Sequence, residues 1–134
     1  MVIHFLDTSC ILNGGLHNYY HAYVSPLTLM ELEEIKSANN KSETIKFMAR
    51  QAIRDIISSQ EIQYSFISRE QVNKVIKKFD FLPDNHDAQI LAEAEWLGRN
   101  SCESIHFVTS DGAQYLFAQQ MPHIVAEYYS NNDI

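Results

Sequence analysis

Two kinds of hydrophobic spacing alternate along this chain, and they predict strands and helices in turn. Short apolar runs rich in β-branched and aromatic residues predict strands at residues 2–6, 22–24, 62–67, 105–109 and 124–126. Apolar positions three and four apart predict helices at 26–38, 43–58, 69–78, 87–99 and 112–120. Strands that alternate with helices pair in parallel through right-handed crossovers, so we expect an α/β fold.

Polar residues mark where several of these elements begin and end. Ser25, Ser42 and Ser68 each precede a predicted helix, and a serine hydroxyl there can accept a hydrogen bond from the first helical turn. Residues 11–20 are expected to form a short helical turn and loop. Residues 128–134 resemble a fraying tail.

The composition indicates a globular chain of one domain, residues 1–134. Its 134 residues are 46% hydrophobic, which is enough to build a compact core. No apolar run reaches the length of a membrane span, and no basic segment precedes the first apolar run, so we expect a cytoplasmic protein without a membrane partner. Cys10 and Cys102 are expected to be reduced residues of the core.

Acidic residues stand at the ends of two predicted strands. Asp7 directly follows residues 2–6, and Asp111 follows the strand at 105–109. Ligands of open α/β sheets bind at the carboxyl ends of the strands, so both carboxylates lie at the edge of the sheet where active sites usually form. Each also stands at the start of a helix, and the role of N-cap alone would explain an aspartate there. Asp87, at the start of the helix 87–99, is open to the same two interpretations.

Glu31 lies inside a predicted helix, so capping cannot explain it. Leu27 and Ile35 lie one turn before and after it, and a carboxylate on such an apolar face is costly unless it is paired or binds a metal. Glu34 and the more solvated Glu33 are rivals on the same helix. Two converging carboxylates about 5 Å apart would repel by about 3 kcal/mol at an effective dielectric near 20. A cluster of oxygen ligands alone favours Mg²⁺ or Mn²⁺.

Four short motifs, in this order and spacing, resemble those of the PIN-domain ribonuclease family. They are FLDTS at residues 5–9, PLTLMEL at 26–32, DAQILA at 87–92 and VTSD at 108–111. The resemblance covers essentially the whole chain. It implies a three-layer α/β/α fold with a central, mostly parallel sheet of four to five strands, and cleavage of single-stranded RNA with Mg²⁺ or Mn²⁺.

The resemblance also implies which residues do the chemistry. Carried over by position, the catalytic and metal-binding acids are Asp7, Glu31, Asp87 and Asp111, with Thr8 or Ser9 and Ser110 as supporting hydroxyls. The family includes toxins with antitoxin partners, RNA-processing nucleases and domains attached to ATPases. An antitoxin-like or other protein partner and a homodimer therefore remain open.

A basic stripe on the helix 43–58 is a candidate path for RNA. Lys46, Arg50 and Arg54 recur every four residues and could follow phosphates, although a solvated helix face has the same pattern. The net charge of −7 argues against binding nucleic acid by bulk electrostatics.

The leading function is thus a metal-dependent RNA endonuclease, and a catalytically inactive domain that binds protein or RNA is the alternative. A phosphotransfer domain of the haloacid-dehalogenase or receiver type is a weaker third, because the first of these needs an aspartate where this chain has Ser9.

Overall fold

The computed structural model describes residues 1–59, 62–63 and 67–130. Its strands are β1 (Val2–Leu6), β2 (Ala22–Val24), β3 (Ile62–Gln63), β4 (Ser104–Thr109) and β5 (Val125–Tyr128). The helices are α1 (Thr8–Leu12), α2 (Pro26–Lys36), α3 (Glu43–Ser58), α4 (Arg69–Lys78), α5 (His86–Asn100) and α6 (Gly112–Gln119), and a 3₁₀ turn spans Gly15–Asn18. The five strands pair in parallel in the order β3-β2-β1-β4-β5. The expected α/β fold with a central parallel sheet is confirmed.

Alternation along β1 and β4 explains why both faces of the sheet are covered. Phe5 and Phe107 point to one face, where they pack with residues of α5 and α6. Leu6 and Val108 point to the other face, where they pack with residues of α1, α2 and α3. Successive side chains of a strand point to opposite faces, so two apolar neighbours in sequence require a helical layer on each side.

The three serines cap the helices that follow them. The Ser25 hydroxyl accepts a hydrogen bond from Leu27 N, and Ser42 and Ser68 do the same for the backbone N–H three residues on. Helices α2, α3 and α4 therefore begin at the residue after each serine.

The third strand and the start of α5 differ from the prediction. Of the predicted strand 62–67, Ile62 and Gln63 are in β3 and Ile67 is outside a strand, while residues 64–66 lie outside the described residues. Helix α5 begins at His86 because the side chain of Asn85 accepts a hydrogen bond from Ala88 N.

The predicted tail is wrong for its first residues. Tyr128 belongs to β5, and Tyr129 N donates to the carbonyl of Thr109 at 2.8 Å, so pairing with β4 holds this segment in place. Residues 131–134 lie outside the described residues.

Both cysteines carry free thiols, but only Cys10 is in the core, and Cys102 is exposed. Within the described part of the chain, no helix has the length and apolar character that a membrane crossing needs.

Candidate metal centre

Asp7 is held at the carboxyl end of β1 by three hydrogen-bond donors. Its Oδ1 accepts from Cys10 N at 2.9 Å and from Ser9 Oγ at 2.8 Å, and its Oδ2 accepts from Thr109 Oγ1 at 2.5 Å. Asp7 therefore is the N-cap of α1, but a side chain from β4 also holds it. A carboxylate offers about four acceptor positions, so Oδ2 keeps one for a further ligand. Burial raises the pKa of Asp7 to about 6, although these hydrogen bonds oppose the shift.

Glu31 faces α1 from the second turn of α2. Its Oε1 accepts a hydrogen bond from Thr8 Oγ1 at 2.7 Å, and the side chain is half-buried. Burial raises the pKa of Glu31. The rival Glu33 is exposed and pairs with Lys36 at 2.8 Å, and Glu34 is exposed as well. Of these three glutamates, Glu31 is the one that contacts α1 in the structure.

Asp87 occupies the first turn of α5 and is not its N-cap, a role that belongs to Asn85. The backbone carbonyl of Asp87 accepts a hydrogen bond from the buried Gln114 Nε2 at 2.6 Å, which links α5 to α6. Partial burial raises the pKa of the Asp87 carboxyl, and the charge of Asp111 raises it further.

Asp111 is the N-cap of α6 at the carboxyl end of β4. Its Oδ1 accepts from Ala113 N at 2.9 Å and from Gln114 N at 3.3 Å. Its backbone N–H donates to Thr109 Oγ1 at 3.0 Å, so the threonine that bonds Asp7 also contacts Asp111. The side chain of Asp111 is exposed, next to Asp87.

Electrostatic interactions join the four acids, with Asp87 at the centre. Burial is the largest cause of the raised pKa of Asp7 and of Glu31, and the charge of Asp87 raises both further. The charge of Asp111 in turn raises the pKa of Asp87. The structure thus brings together side chains that come from four places in the sequence. His86 lies close enough for its charge to act on both Glu31 and Asp87, in the direction that favours their ionised forms.

The hydroxyls around the acids differ in what they contact. Thr8 donates to Glu31 and Ser9 donates to Asp7. Ser110 Oγ donates instead to the carbonyl of Tyr129 at 2.8 Å, so this side chain is directed to the end of β5.

Thr109 is a site residue that sequence reasoning missed, because its contact with Asp7 depends on how β1 and β4 pair. It follows Val108, and Val108 pairs with Leu6, so Thr109 is next to Asp7 at the edge of the sheet.

The chemistry of the donor set fits a divalent cation. All the candidate ligands are carboxylate oxygens. Burial and repulsion make the ionised forms of Asp7, Glu31 and Asp87 costly without a counter-charge. Hard cations such as Mg²⁺ and Mn²⁺ prefer such oxygens. The residues that could hold the ion are Asp7, Glu31, Asp87 and Asp111.

The basic stripe lies on α3, against the last residues of α2. Lys46 pairs with Glu43 at 3.3 Å. Arg50 and Arg54 line a cavity of about 320 Å³ together with Lys36. Lys36 follows Glu31 by five residues of α2, which is about 7.5 Å along a helix axis.

Comparison with solved structures shows the same fold in three cases. A chain of VapBC2 from Rickettsia felis, bound to a DNA fragment from its promoter, has a TM-score of 0.60 at 13% identity, covering 96% of this chain and 99% of that one. DNA-bound VapBC from Salmonella typhimurium has a TM-score of 0.60 at 17% identity, covering 97% and 100%. A domain of a functionally unknown protein from Methanocaldococcus jannaschii has a TM-score of 0.63 at 18% identity, covering 98% and 94%. No curated protein matches the sequence.

A parallel sheet covered on both faces, with acids at its carboxyl edge, defines an α/β domain of the kind that binds ligands at this edge. A family model described as PIN domain matches residues 4–130. The chain belongs to the PIN domain family, whose members are generally nucleases.

Proposed function

We propose that this protein is a divalent-metal-dependent endoribonuclease that hydrolyses phosphodiester bonds of single-stranded RNA. The observation that carries the proposal is a set of contacts at the carboxyl edge of the sheet. Thr109 bonds both Asp7 and Asp111, Thr8 bonds Glu31, and the charge of Asp87 raises the pKa of Asp7 and of Glu31. Membership of a family of nuclease type supports the class of reaction.

Asp7, Glu31, Asp87 and Asp111 are the residues that would hold Mg²⁺ or Mn²⁺. When bound, such an ion lowers the pKa of a water and neutralises charge on the scissile phosphate. The protein's own contribution is orientation. Ser9 and Thr109 hold the carboxylate of Asp7, and Thr8 holds that of Glu31, so that two ligands are ordered before any ion arrives.

The path of the RNA follows the basic stripe in this proposal. Arg50 and Arg54 share a cavity with Lys36, and Lys36 belongs to the helix that carries Glu31. The charges of Arg50 and Arg54 would offset the net charge of −7 locally, whereas Lys36 and Lys46 are paired with glutamates.

A protein partner is a second part of the proposal. Two of the structural relatives are VapBC structures, which supports an antitoxin-like partner. The exposed apolar side chains of Met30, Ile45 and Phe47 on α2 and α3 offer a surface for such a partner or for a second copy of the chain. We further propose that the 134 residues act as a single domain in the cytoplasm.

Cleavage of an unstructured, end-labelled RNA in Mg²⁺ or Mn²⁺ tests the function. We expect cleavage by the wild type that EDTA abolishes, and its loss in Asp87→Asn. Asp80→Asn is the matched control, because Asp80 is an exposed aspartate outside both the four acids and the basic stripe, and it should cleave like the wild type.

The same assay separates the alternative function. RNA binding without cleavage in either metal, by a protein that is folded, would support a catalytically inactive binding domain. The net charge of −7 is the observation that favours this alternative.

A further inference from the structure

Three side chains that commonly bind metals lie side by side on the sheet, away from the four acids. They are His4 in β1, His106 in β4 and Glu127 in β5. His4 pairs with His106 in the register of β1 and β4, and Glu127 pairs with Val108, two residues beyond His106. Residues two apart in a strand share a face, so the register puts all three side chains on the same face.

The distances between their donor atoms suit one ion. Glu127 Oε2 lies 3.5 Å from His4 Nε2 and 3.4 Å from His106 Nδ1. Two ligands about 2.0 to 2.1 Å from a tetrahedral Zn²⁺ lie about 3.4 Å apart. One donor atom from each residue lies within 4.8 Å of the others. The two nitrogens would therefore need to approach by no more than about 1.4 Å to complete the triangle of ligands.

Two donor atoms of this group are buried without a hydrogen bond among the described residues. His106 Nδ1 and Glu127 Oε2 are buried atoms that have no hydrogen-bond partner in the described part of the chain. Buried polar atoms are nearly always bonded, and an ion would bond both at once. The side chains of His4 and His106 are 23% exposed and that of Glu127 is 37% exposed, so the group lies close to the protein surface.

The burial of His4 favours a neutral imidazole ligand. Burial lowers the pKa of His4, and the unprotonated ring is the form that binds metals. The ring of Tyr19 covers His4, with centroids 4.6 Å apart. The buried thiol of Cys10 is not one of the atoms that lie within 4.8 Å of one another.

We propose that His4, His106 and Glu127 bind one transition-metal ion of the zinc class, with water as the fourth ligand. The site is separate from the carboxylate centre, because His4 precedes Asp7 by three residues, about 10 Å along an extended strand. Its two imidazoles select against Mg²⁺, which prefers oxygen ligands. An ion there would join β1, β4 and β5 and so stabilise the part of the sheet that carries Asp7 and Asp111.

Calorimetric titration of metal-free protein with Zn²⁺, in millimolar Mg²⁺ to occupy the carboxylate centre, tests the site. We expect one equivalent of Zn²⁺ to bind the wild type. His106→Gln and Glu127→Gln should each weaken it by at least about 100-fold, since changes that only support a ligand already cost about 10 to 100-fold. His17→Gln and Asp87→Asn should bind Zn²⁺ like the wild type, because His17 is an exposed histidine paired with Asp55 and Asp87 belongs to the other centre.

Nuclear magnetic resonance of the wild type gives a readout that needs no variant. Among the six histidines, the ring signals of His4 and His106 should shift on adding one equivalent of Zn²⁺. The proposal is overturned if the wild type binds no Zn²⁺ in the presence of Mg²⁺, or if those two rings do not shift. Zn²⁺ binding that persists in both Gln variants, or that disappears in Asp87→Asn, would overturn it as well.

Discussion

Replacing Glu93 by Gln should stabilise the protein at neutral and alkaline pH and leave its stability unchanged at acidic pH. Glu93 lies in α5 with only 5% of its surface exposed. Ser25 is its hydrogen-bond partner, and Oε2 of the carboxyl has none among the described residues. A buried carboxylate with so few donors is costly in its charged form, and burial raises the pKa of Glu93 from 4.5 to about 7.

The size and sign of the effect follow from this shift. Below pH 4.5 the carboxyl is protonated in both the folded and the unfolded state, so its ionisation costs nothing. Between 4.5 and about 7 the folded state keeps the proton that the unfolded state loses, and the free energy of unfolding falls as the pH rises. Above that range the full cost is present, about 3 kcal/mol at about 1.4 kcal/mol per pH unit.

Urea unfolding of both proteins from pH 4 to pH 8, followed by circular dichroism, measures the difference. We expect Glu93→Gln to match the wild type at pH 4 and to exceed it by up to about 3 kcal/mol at pH 8. Taking the difference removes the contributions of other titrating groups, such as Asp7. Glu70→Gln is the control, because the Glu70 side chain is 82% exposed and the difference should stay flat with pH. A Glu93→Gln variant that is no more stable than the wild type at pH 8, or whose difference does not depend on pH, would refute the reasoning.

Three further predictions concern the proposed nuclease. Millimolar Mn²⁺ should raise the melting temperature, by the equivalent of about 3 kcal/mol at 100 times the dissociation constant; a melting curve unchanged by Mn²⁺ would contradict this. Asp7→Asn should lose RNA cleavage and stay folded, because Asn replaces Asp well as an N-cap; full activity would leave Asp7 with only its capping role. Replacing Lys46, Arg50 and Arg54 together by Gln should weaken RNA binding, measured in Ca²⁺ over a range of KCl, and reduce its salt slope by up to about 0.7 log units per lost contact. Equal slopes for the two proteins would remove α3 from the RNA site.

Features that depend on neighbouring residues could be predicted from the sequence. A serine cap bonds a backbone N–H two or three residues on, so Ser25, Ser42 and Ser68 indicate the starts of α2, α3 and α4 without any knowledge of the fold. The strands β1 and β4 could also be predicted from local sequence, because a buried parallel strand is a short continuous apolar run.

Contacts between distant segments needed the tertiary structure. Thr109 bonds Asp7 across 102 residues of sequence, and the hydroxyl of Ser110 turns to β5 instead. The central place of Asp87 among the acids depends on where α5 packs, which no local pattern determines. The alternation of strands and helices predicts parallel pairing, but not the order β3-β2-β1-β4-β5 or the register that places His4 beside His106.

Glu93 shows the physical reason most clearly. The helical period of α5 predicts one apolar face, and a glutamate beside that face would be expected in solvent. The sheet and α6 cover one side of α5 through Ile90 and Leu91, and α4 covers a second side through Ala92. A helix buried on two sides also buries polar residues between them. The pattern of apolar positions determines which face of a helix meets the sheet, but only the packing of the other elements decides how much more of that helix is removed from water.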